Sequence, residues 1–281
     1  MISLLLTSFL TDQFYRSASE GLAELVTLAR RVDPLFAAKA AVYARRRFGM
    51  RTVTHVVAGE LAARVKGELW TKRFYDAVVV RPDDVTEILA YYASAHGIQP
   101  LPNSLKKGLA RALRRFDDYE LAKYRGRGHT VNLWDAVNLC HPRPTGPLRR
   151  LMSDELPPAD TWEVALSRAG QLARSEEEKA ELERQTWTRL LRDHKLGYFA
   201  LLRNLQAIVQ TCDDEGLALA QRKLVDPVAI HRSRVFPFRI DTALGEVGRD
   251  APEGIVAALD QALEIAFDNV PTLEGRTLVA L

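Results

Sequence analysis

Apolar residues recur every three to four positions along almost the whole chain, while the strict alternation of a half-buried strand is rare. This pattern confines the 281 residues to an all-α fold, because a 3.6-residue period puts the apolar side chains on one helical face that has to be buried. Asp33-Pro34 reads as an N-cap followed by an N1 proline. Phe36, Ala40, Tyr43 and Ala44 then share a face, and Arg45-Arg46-Arg47 are expected as exposed cations complementing the helix dipole before Gly49. Asp83 is expected to cap a helix that ends at Gly97, and Glu176 to Asp193 to form a long charged helix with Leu182, Thr186, Leu190 and Leu191 inward. Single helices are expected over Leu196 to Val209 and Glu253 to Phe267. The pattern amounts to about a dozen to fifteen helices joined by short loops, without the signature of a strict sequence repeat. Stacked antiparallel helix pairs in an irregular solenoid fit it best, since each amphipathic pair buries one face on its neighbour. No Gly/Ser-rich or Pro-rich linker marks a boundary before the last ten residues.

Several function classes drop out. Two cysteines, Cys140 and Cys212, neither staple a secreted scaffold nor build a four-ligand zinc site, so a reducing, cytoplasmic location is expected. No apolar run is long enough to span a bilayer, and no membrane association is expected. Phosphate-loop, dinucleotide, zinc-protease and nucleophile-elbow motifs are absent, and the six histidines have no ligand pair on one helix. The expectation is a protein that is not an enzyme and has no cofactor or metal. Cys140-His141 reads as a buried thiol beside a helix-ending histidine rather than a nucleophile and its base.

The net charge of +3 conceals an uneven distribution. Residues 99–150 hold eleven Lys or Arg against four Asp or Glu, a local charge of +7, and the remainder of the chain is at −4. A helix capped by Asn103 or Ser104 buries Leu105, Leu109, Leu113 and Phe116, and it gathers Lys107, Arg111, Arg114 and Arg115 elsewhere. Asp117 and Asp118 cap the next helix, which frays at Gly126 and leaves Lys123, Tyr124, Arg125 and Arg127 at a helix end and in a turn. Cations interleaved with an aromatic on a permissive backbone suit phosphate contacts with base stacking. A further helix, Val131 to Cys140, is expected to be capped by Thr130, to bury Leu133, Val137 and Cys140, and to stop at His141-Pro142.

These residues carry a family resemblance. Leu101-Pro-Asn-Ser-Leu-Lys-Lys107, Leu121-Ala-Lys-Tyr124, and Asp135 ahead of His141-Pro-Arg-Pro144 resemble the TROVE module of the Ro-type RNA-binding ring proteins. Supporting stretches follow in the family's order: Leu5 to Tyr15, Pro34 to Arg45, Met50-Arg-Thr52, Ala200-Leu-Leu-Arg-Asn-Leu205 and Phe236-Pro-Phe-Arg239. The resemblance implies HEAT-like antiparallel helical repeats forming a ring or open solenoid, monomeric, with a positively charged central hole. It further implies that small structured non-coding (Y-like) RNA binds a basic outer surface, that single-stranded ends of misfolded RNA enter the hole, and that the role is RNA quality control. An exoribonuclease tethered through RNA is an implied partner.

Carried over by position, the outer RNA contacts fall on Lys123, Arg127 and His141, with Tyr124, Arg125, Lys107 and Arg111 around them. Arg203 and Asn204 match a motif nearer the hole. Residues 1–270 then form the RNA-binding module, with an N-terminus that is incomplete relative to the family. Residues 271–281 form a linker and the start of a truncated von Willebrand factor A-like domain, because Arg276 to Leu281 resembles that domain's first strand. The reading from a different class is an α-helical protein-interaction scaffold whose basic face meets acidic partners.

Overall fold

The structure, a computed structural model, describes residues 1–8, 10–12, 17–97, 100–125, 130–159, 161–248 and 251–270. Among these residues every regular element is helical, as the periodicity requires. Their contacts divide into two units, Met1–Ala159 and Asp160–Leu281, each with its own core. The strand expected at 276–281 lies outside the described residues.

The first unit contains α1 (Ile2–Thr7), α2 (Ala18–Arg31), α3 (Pro34–Phe48), α4 (Thr52–Arg64), α5 (Thr71–Val78), α6 (Pro82–His96), α7 (Asn103–Leu113), α8 (Asp118–Lys123), α9 (Leu133–Cys140) and α10 (Gly146–Met152). Alternate helices lie side by side in two rows, α1, α3, α5 and α7 in one and α2, α4 and α6 in the other, with α9 packed on both α6 and α7. Such an arrangement is that of stacked helical hairpins, the HEAT-like architecture expected from the sequence. Local signals set the helix ends. Asp33 accepts the Phe36 N–H at 2.8 Å, Pro34 opens α3, and Gly49 closes it in the left-handed conformation at φ 71°.

Helix α4 is the axis of this unit, buried without interruption from Val53 to Ala62. A helix enclosed on all sides leaves its polar groups no water, and each must find a partner. Glu60 accepts hydrogen bonds from Arg30 Nε on α2 at 2.6 Å and from Tyr91 Oη on α6 at 2.8 Å, and it bonds His96 Nε2 at 2.9 Å. Burial would raise the Glu60 carboxyl, but the hydrogen bonds from Arg30, Tyr91 and His96 hold it below its ordinary value.

A second carboxylate ties α3, α4 and α6 together. Asp84 is fully buried and accepts from Arg45 Nη2 at 2.6 Å, Arg51 Nε at 3.1 Å and the backbone N–H groups of Val80 and Arg81 at 2.8 and 2.9 Å, and it bonds His55 Nε2 at 3.0 Å. Burial works against ionisation here, yet the hydrogen bond from His55 and the charge of Arg45 keep the carboxyl far below the usual carboxylate range.

This network corrects two expectations. Arg45 is not an exposed dipole cation but 7% exposed, because its charge is needed by Asp84 thirty-nine positions away. Helix α6 begins at Pro82 with Arg81 in the cap position, and the reach-back to the Arg81 N–H comes from Asp84 rather than from Asp83. Other boundaries move as well. On α3, Ala37, Ala38, Ala41 and Ala44 face the core, while Phe36 and Tyr43 are exposed and line a shallow groove with Ile2, Leu5 and Leu6. Pro102, not Asn103 or Ser104, precedes α7. The stripe Leu105, Leu109, Leu113 and Phe116 is buried as read.

The second unit contains α11 (Trp162–Leu172), α12 (Glu176–Arg192), α13 (Tyr198–Arg203), α14 (Leu205–Thr211), α15 (Asp214–Leu224), α16 (Pro227–Ser233), α17 (Pro237–Val247) and α18 (Glu253–Ala266). Helix α12 packs between α11 and α15, and α18 gathers α15, α16 and α17. The inward face of α12 is Trp187, Thr188, Leu190 and Leu191, so Leu182 and Thr186 are only half-buried. The single helix expected over Leu196 to Val209 is broken at Asn204, whose side-chain amide donates to the Ala200 carbonyl at 2.7 Å. No described helix is long and apolar enough to cross a membrane.

Two stability predictions follow from this packing. Asp84→Asn removes the countercharge of a buried guanidinium and is expected to cost about 3–5 kcal/mol at neutral pH. Because the folded Asp84 pKa is depressed, its contribution is complete above the unfolded value of about 4 and is lost as pH falls below it. Thermal unfolding of wild type and Asp84→Asn should therefore show a gap that is widest above pH ~4 and narrows on acidification. The second prediction concerns two helical glycines. A Cβ on Gly108 would meet the buried Tyr75 side chain at 2.6–2.9 Å, whereas one on Gly170 would meet nothing within 4 Å. Chemical denaturation should show Gly108→Ala destabilised by about 1–3 kcal/mol and Gly170→Ala stabilised by about 0.5–1 kcal/mol.

Candidate nucleic-acid interface

The basic segment folds into α7 to α10, and the structure separates its cations into those tied to carboxylates and those left facing solvent. On α7, Arg111 Nε meets Asp76 Oδ2 of α5 at 3.1 Å, and just past the end of α7 Arg115 meets Asp76 Oδ1 at 3.2 Å while donating to the Asp76 and Val79 carbonyls at 3.0 and 2.7 Å. The acid missing from the α7 sequence is thus supplied by its neighbour. Lys107 and Arg114 are exposed and have no ion-pair partner among the described residues.

Helix α8 is stapled to α10 at both ends. Asp118 takes Arg150 through two bonds of 2.9 and 2.7 Å, and Arg125 pairs with Asp154 beyond α10. Asp117 is the N-cap of α8, forming a reciprocal pair with Glu120. The helix stops at Lys123, three residues short of Gly126. Lys123 is exposed, with its Nζ 5.6 Å from the Tyr119 ring centre and 5.7 Å from that of Tyr124. Tyr124 is half-buried against the core, and the Arg81 guanidinium covers its ring at 4.4 Å. Its face is therefore occupied, and the accessible ring beside Lys123 is Tyr119, 41% exposed.

Helix α9 begins at Leu133 rather than Val131. Its cap is Asn132, which exchanges hydrogen bonds of 3.0 Å with Asp135, so Thr130 plays no part in capping. Leu133, Ala136 and Cys140 are buried, and Val137 is only half-buried. Burial pushes the Cys140 thiol up to about 12, which keeps it protonated at neutral pH and removes it as a nucleophile. His141 terminates the helix in the left-handed conformation at φ 49°, with its N–H bonded to the Val137 carbonyl and its imidazole exposed.

The structure thus puts Lys107, Arg111, Lys123, Tyr124, Arg125 and His141 on consecutive, mutually supporting helices of one unit. Of these, Lys107, Lys123 and His141 face solvent without a carboxylate partner among the described residues. Arg127 lies outside the described residues. Arg203 and Asn204 belong to the second unit. Arg203 is exposed in a groove of about 380 Å³ that it shares with Phe199, Arg239, Thr242 and Glu246, while Asn204 is committed to the helix break. The sequence reading passed over Arg81, Tyr119 and Trp134. The signal for Trp134 was available, since it falls on α9 away from Leu133, Ala136 and Cys140. That for Arg81 was not, because only the fold brings it to Tyr124.

Among known proteins the chain is 28% identical to rat telomerase protein component 1 over 138 aligned residues, which take in 46% of this chain and 5% of that protein. The mouse protein of the same name is 27% identical over the same share. The chain thus spans about a twentieth of the curated relatives it matches. The crystal structure of the Deinococcus radiodurans Ro (RSR) protein matches 93% of this chain and 60% of its own with a TM-score of 0.59 at 20% identity, a likeness that establishes a shared fold. The model of the TROVE domain matches residues 10–157 and again 154–248, so most of both helical units answers to one family description. With the helical-hairpin architecture and the order of its motifs, this coverage establishes that the chain belongs to the TROVE domain family.

Proposed function

We propose that this TROVE-family chain is an RNA-binding protein of the Ro type, and that it contributes binding rather than catalysis. The observation carrying this reading is the segregation of charge in α7 to α10. Arg111, Arg115, Arg125 and Arg150 are satisfied by carboxylates of the protein, whereas Lys107, Arg114, Lys123, Arg143 and Arg149 are exposed with no carboxylate partner among the described residues. Exposed cations without internal partners are what a phosphate backbone requires, because binding then breaks no ion pair.

The site in this reading is Lys123, Arg127 and His141, with Lys107 on α7 as a further phosphate contact. Arg125 and Arg111 act mainly by holding the helices in place, and Tyr124 by packing. The ligand is a small structured non-coding RNA of the Y-like class. Arg203, with Asn204 shaping its helix end, is proposed to meet single-stranded ends of misfolded RNA. RNA quality control in the cytoplasm, with an exoribonuclease joined through the RNA, is the corresponding role. Residues 1–270 constitute the binding module in this proposal.

Replacing Lys123, Arg127 and His141 together with alanine is expected to weaken binding of a structured RNA at least tenfold without lowering the thermal midpoint appreciably. For the wild type, log K should fall linearly with log salt at roughly 0.7–0.9 per phosphate contact, and the triple variant should show a shallower slope. Filter binding across a salt series measures both quantities. Unchanged affinity in a folded triple variant would reject the assigned site. Partners that survive nuclease treatment during purification would favour the protein scaffold instead.

A further inference from the structure

Helix α3 packs its small residues inward and leaves its large ones outside. Its core contacts are Ala37, Ala38, Ala41 and Ala44, all buried. Phe36 and Tyr43 are 44% and 52% exposed, and with Ala40 they are spaced i, i+4 and i+7 along one outer face. Ile2 and Phe48 are exposed as well, the Phe48 ring edge-on to Tyr43 at 5.4 Å. Single apolar residues scattered over a surface need no explanation, but a contiguous aromatic and aliphatic patch marks a place where something else makes contact.

With Leu5 and Leu6 of α1, this face forms a trough of about 250 Å³ along the seam between the two helices. The volume lies below the range of about 300–1,000 Å³ usual for small-molecule sites and suits a few side chains of an occupant rather than a whole ligand. A seam between two helices is what the ridge of a third helix fills, and anchors at i, i+3 or i+4 and i+7 are how an amphipathic helix enters such a groove. A bilayer is a poorer match, because interfacial insertion needs an apolar face that projects into the lipid rather than one that is recessed.

The charges at the trough select among helices. Lys39 lines it, and Lys39, Tyr43 and Arg47 follow one another at i, i+4 and i+8, so the exposed ring stands between two exposed cations. Neither cation has an ion-pair partner among the described residues, and α1 carries no charged side chain. Asp33, the acid that precedes α3, is committed to the Phe36 N–H as its cap. A second copy of the chain in a two-fold contact would set this patch against itself, with Lys39 and Arg47 brought towards their own copies.

We propose that the trough between α1 and α3 is the docking site for an amphipathic helix of a partner protein, with aliphatic side chains entering between Phe36 and Tyr43 and acidic residues on its flanks meeting Lys39 and Arg47. None of these residues belongs to the proposed RNA surface, and the inference is independent of the RNA-binding reading.

The test uses the full chain and two labelled helical peptides with the same leucine stripe, one flanked by glutamates and the other by lysines, with binding followed by fluorescence anisotropy. The glutamate peptide should bind about tenfold more tightly than the lysine peptide at low salt, and the difference should shrink as salt is added. Replacing Lys39 and Arg47 together with glutamate should reverse the preference. Tyr43→Ser, at an exposed position, should weaken the glutamate peptide about tenfold with the thermal midpoint unchanged, and Ala40→Trp, which fills the trough, should repeat the loss. Binding of neither peptide, equal affinity for both, a preference unmoved by the charge reversal, or an affinity that Tyr43→Ser and Ala40→Trp both leave intact would overturn the proposal. Self-association of the wild type, or its sedimentation with phosphatidylglycerol vesicles, that Tyr43→Ser abolishes would overturn it too, by assigning the trough to a second copy or to a lipid surface.

Discussion

The ionised carboxylate of Asp84, sealed inside the first unit, is the interaction on which the rest of that unit depends. A single buried charge is costly, on the order of several kcal/mol even after relaxation, and it is tolerated only when surrounded by donors. Five groups meet that requirement, and they come from α3, from α4 and from the turn into α6. Helix positions are thereby fixed to within hydrogen-bond tolerance, which apolar packing alone does not do. The constraint runs outward from the core. Asp84 holds the Arg81 N–H, the Arg81 guanidinium is braced by Asp83, and that guanidinium lies over Tyr124 next to Lys123. A buried carboxylate in the core of the first unit is thus connected, through Arg81 and Tyr124, to an exposed cation at the proposed RNA surface.

The same physics sorts the cations of the basic segment. Counting charges along the sequence gives +7, but a guanidinium already bonded to a carboxylate contributes little to the field felt by an approaching phosphate. Asp76, Asp118 and Asp154 pair with four of the arginines, Asp76 with two of them, and use them as staples between helices. The fold converts an even scatter of positive residues into two populations, one structural and one available. Arginine suits the first task because its planar fork can hold two oxygens at once, as Arg150 does with Asp118.

Much of this was legible in the sequence and the rest was not, for reasons that differ by residue. Helix faces were readable because burial follows the 3.6-residue period, as Leu105, Leu109 and Leu113 illustrate. Caps were readable where the partner is three residues away, as with Asp33 and Asp117. The pairing of Arg45 with Asp84 was not, because both look like ordinary surface residues until α3 and α6 are brought together. The break at Asn204 was hidden by an apolar period that continues straight through it, and it shows only in the folded chain, in the Asn204 backbone at φ −105°, ψ 9° and the side-chain hydrogen bond to Ala200. Of the candidate site, Lys123 and His141 were found from motif resemblance, while the commitment of Tyr124 to Arg81 was visible only in three dimensions.

Lys123 and His141 both stand at helix C-termini, and this bears on why a helical repeat would bind RNA here. Lys123 is in the last turn of α8 and His141 caps the end of α9. Helix C-termini expose carbonyl groups and a partial negative charge, which by themselves repel phosphate. The Lys123 ammonium offsets the dipole when the protein is free, a contribution of only a few tenths of a kcal/mol at an exposed end. When RNA is present, the same cation faces a full negative charge on its open side. The residue therefore contributes little to folding and much to binding, a separation that the cations held in the helix staples do not have. Arg125, which differs from Lys123 by two positions but is bound to Asp154, stands on the other side of that divide. Stability and recognition are thus assigned to different members of one basic cluster, and the distinction is made by whether the neighbouring helix presents a carboxylate.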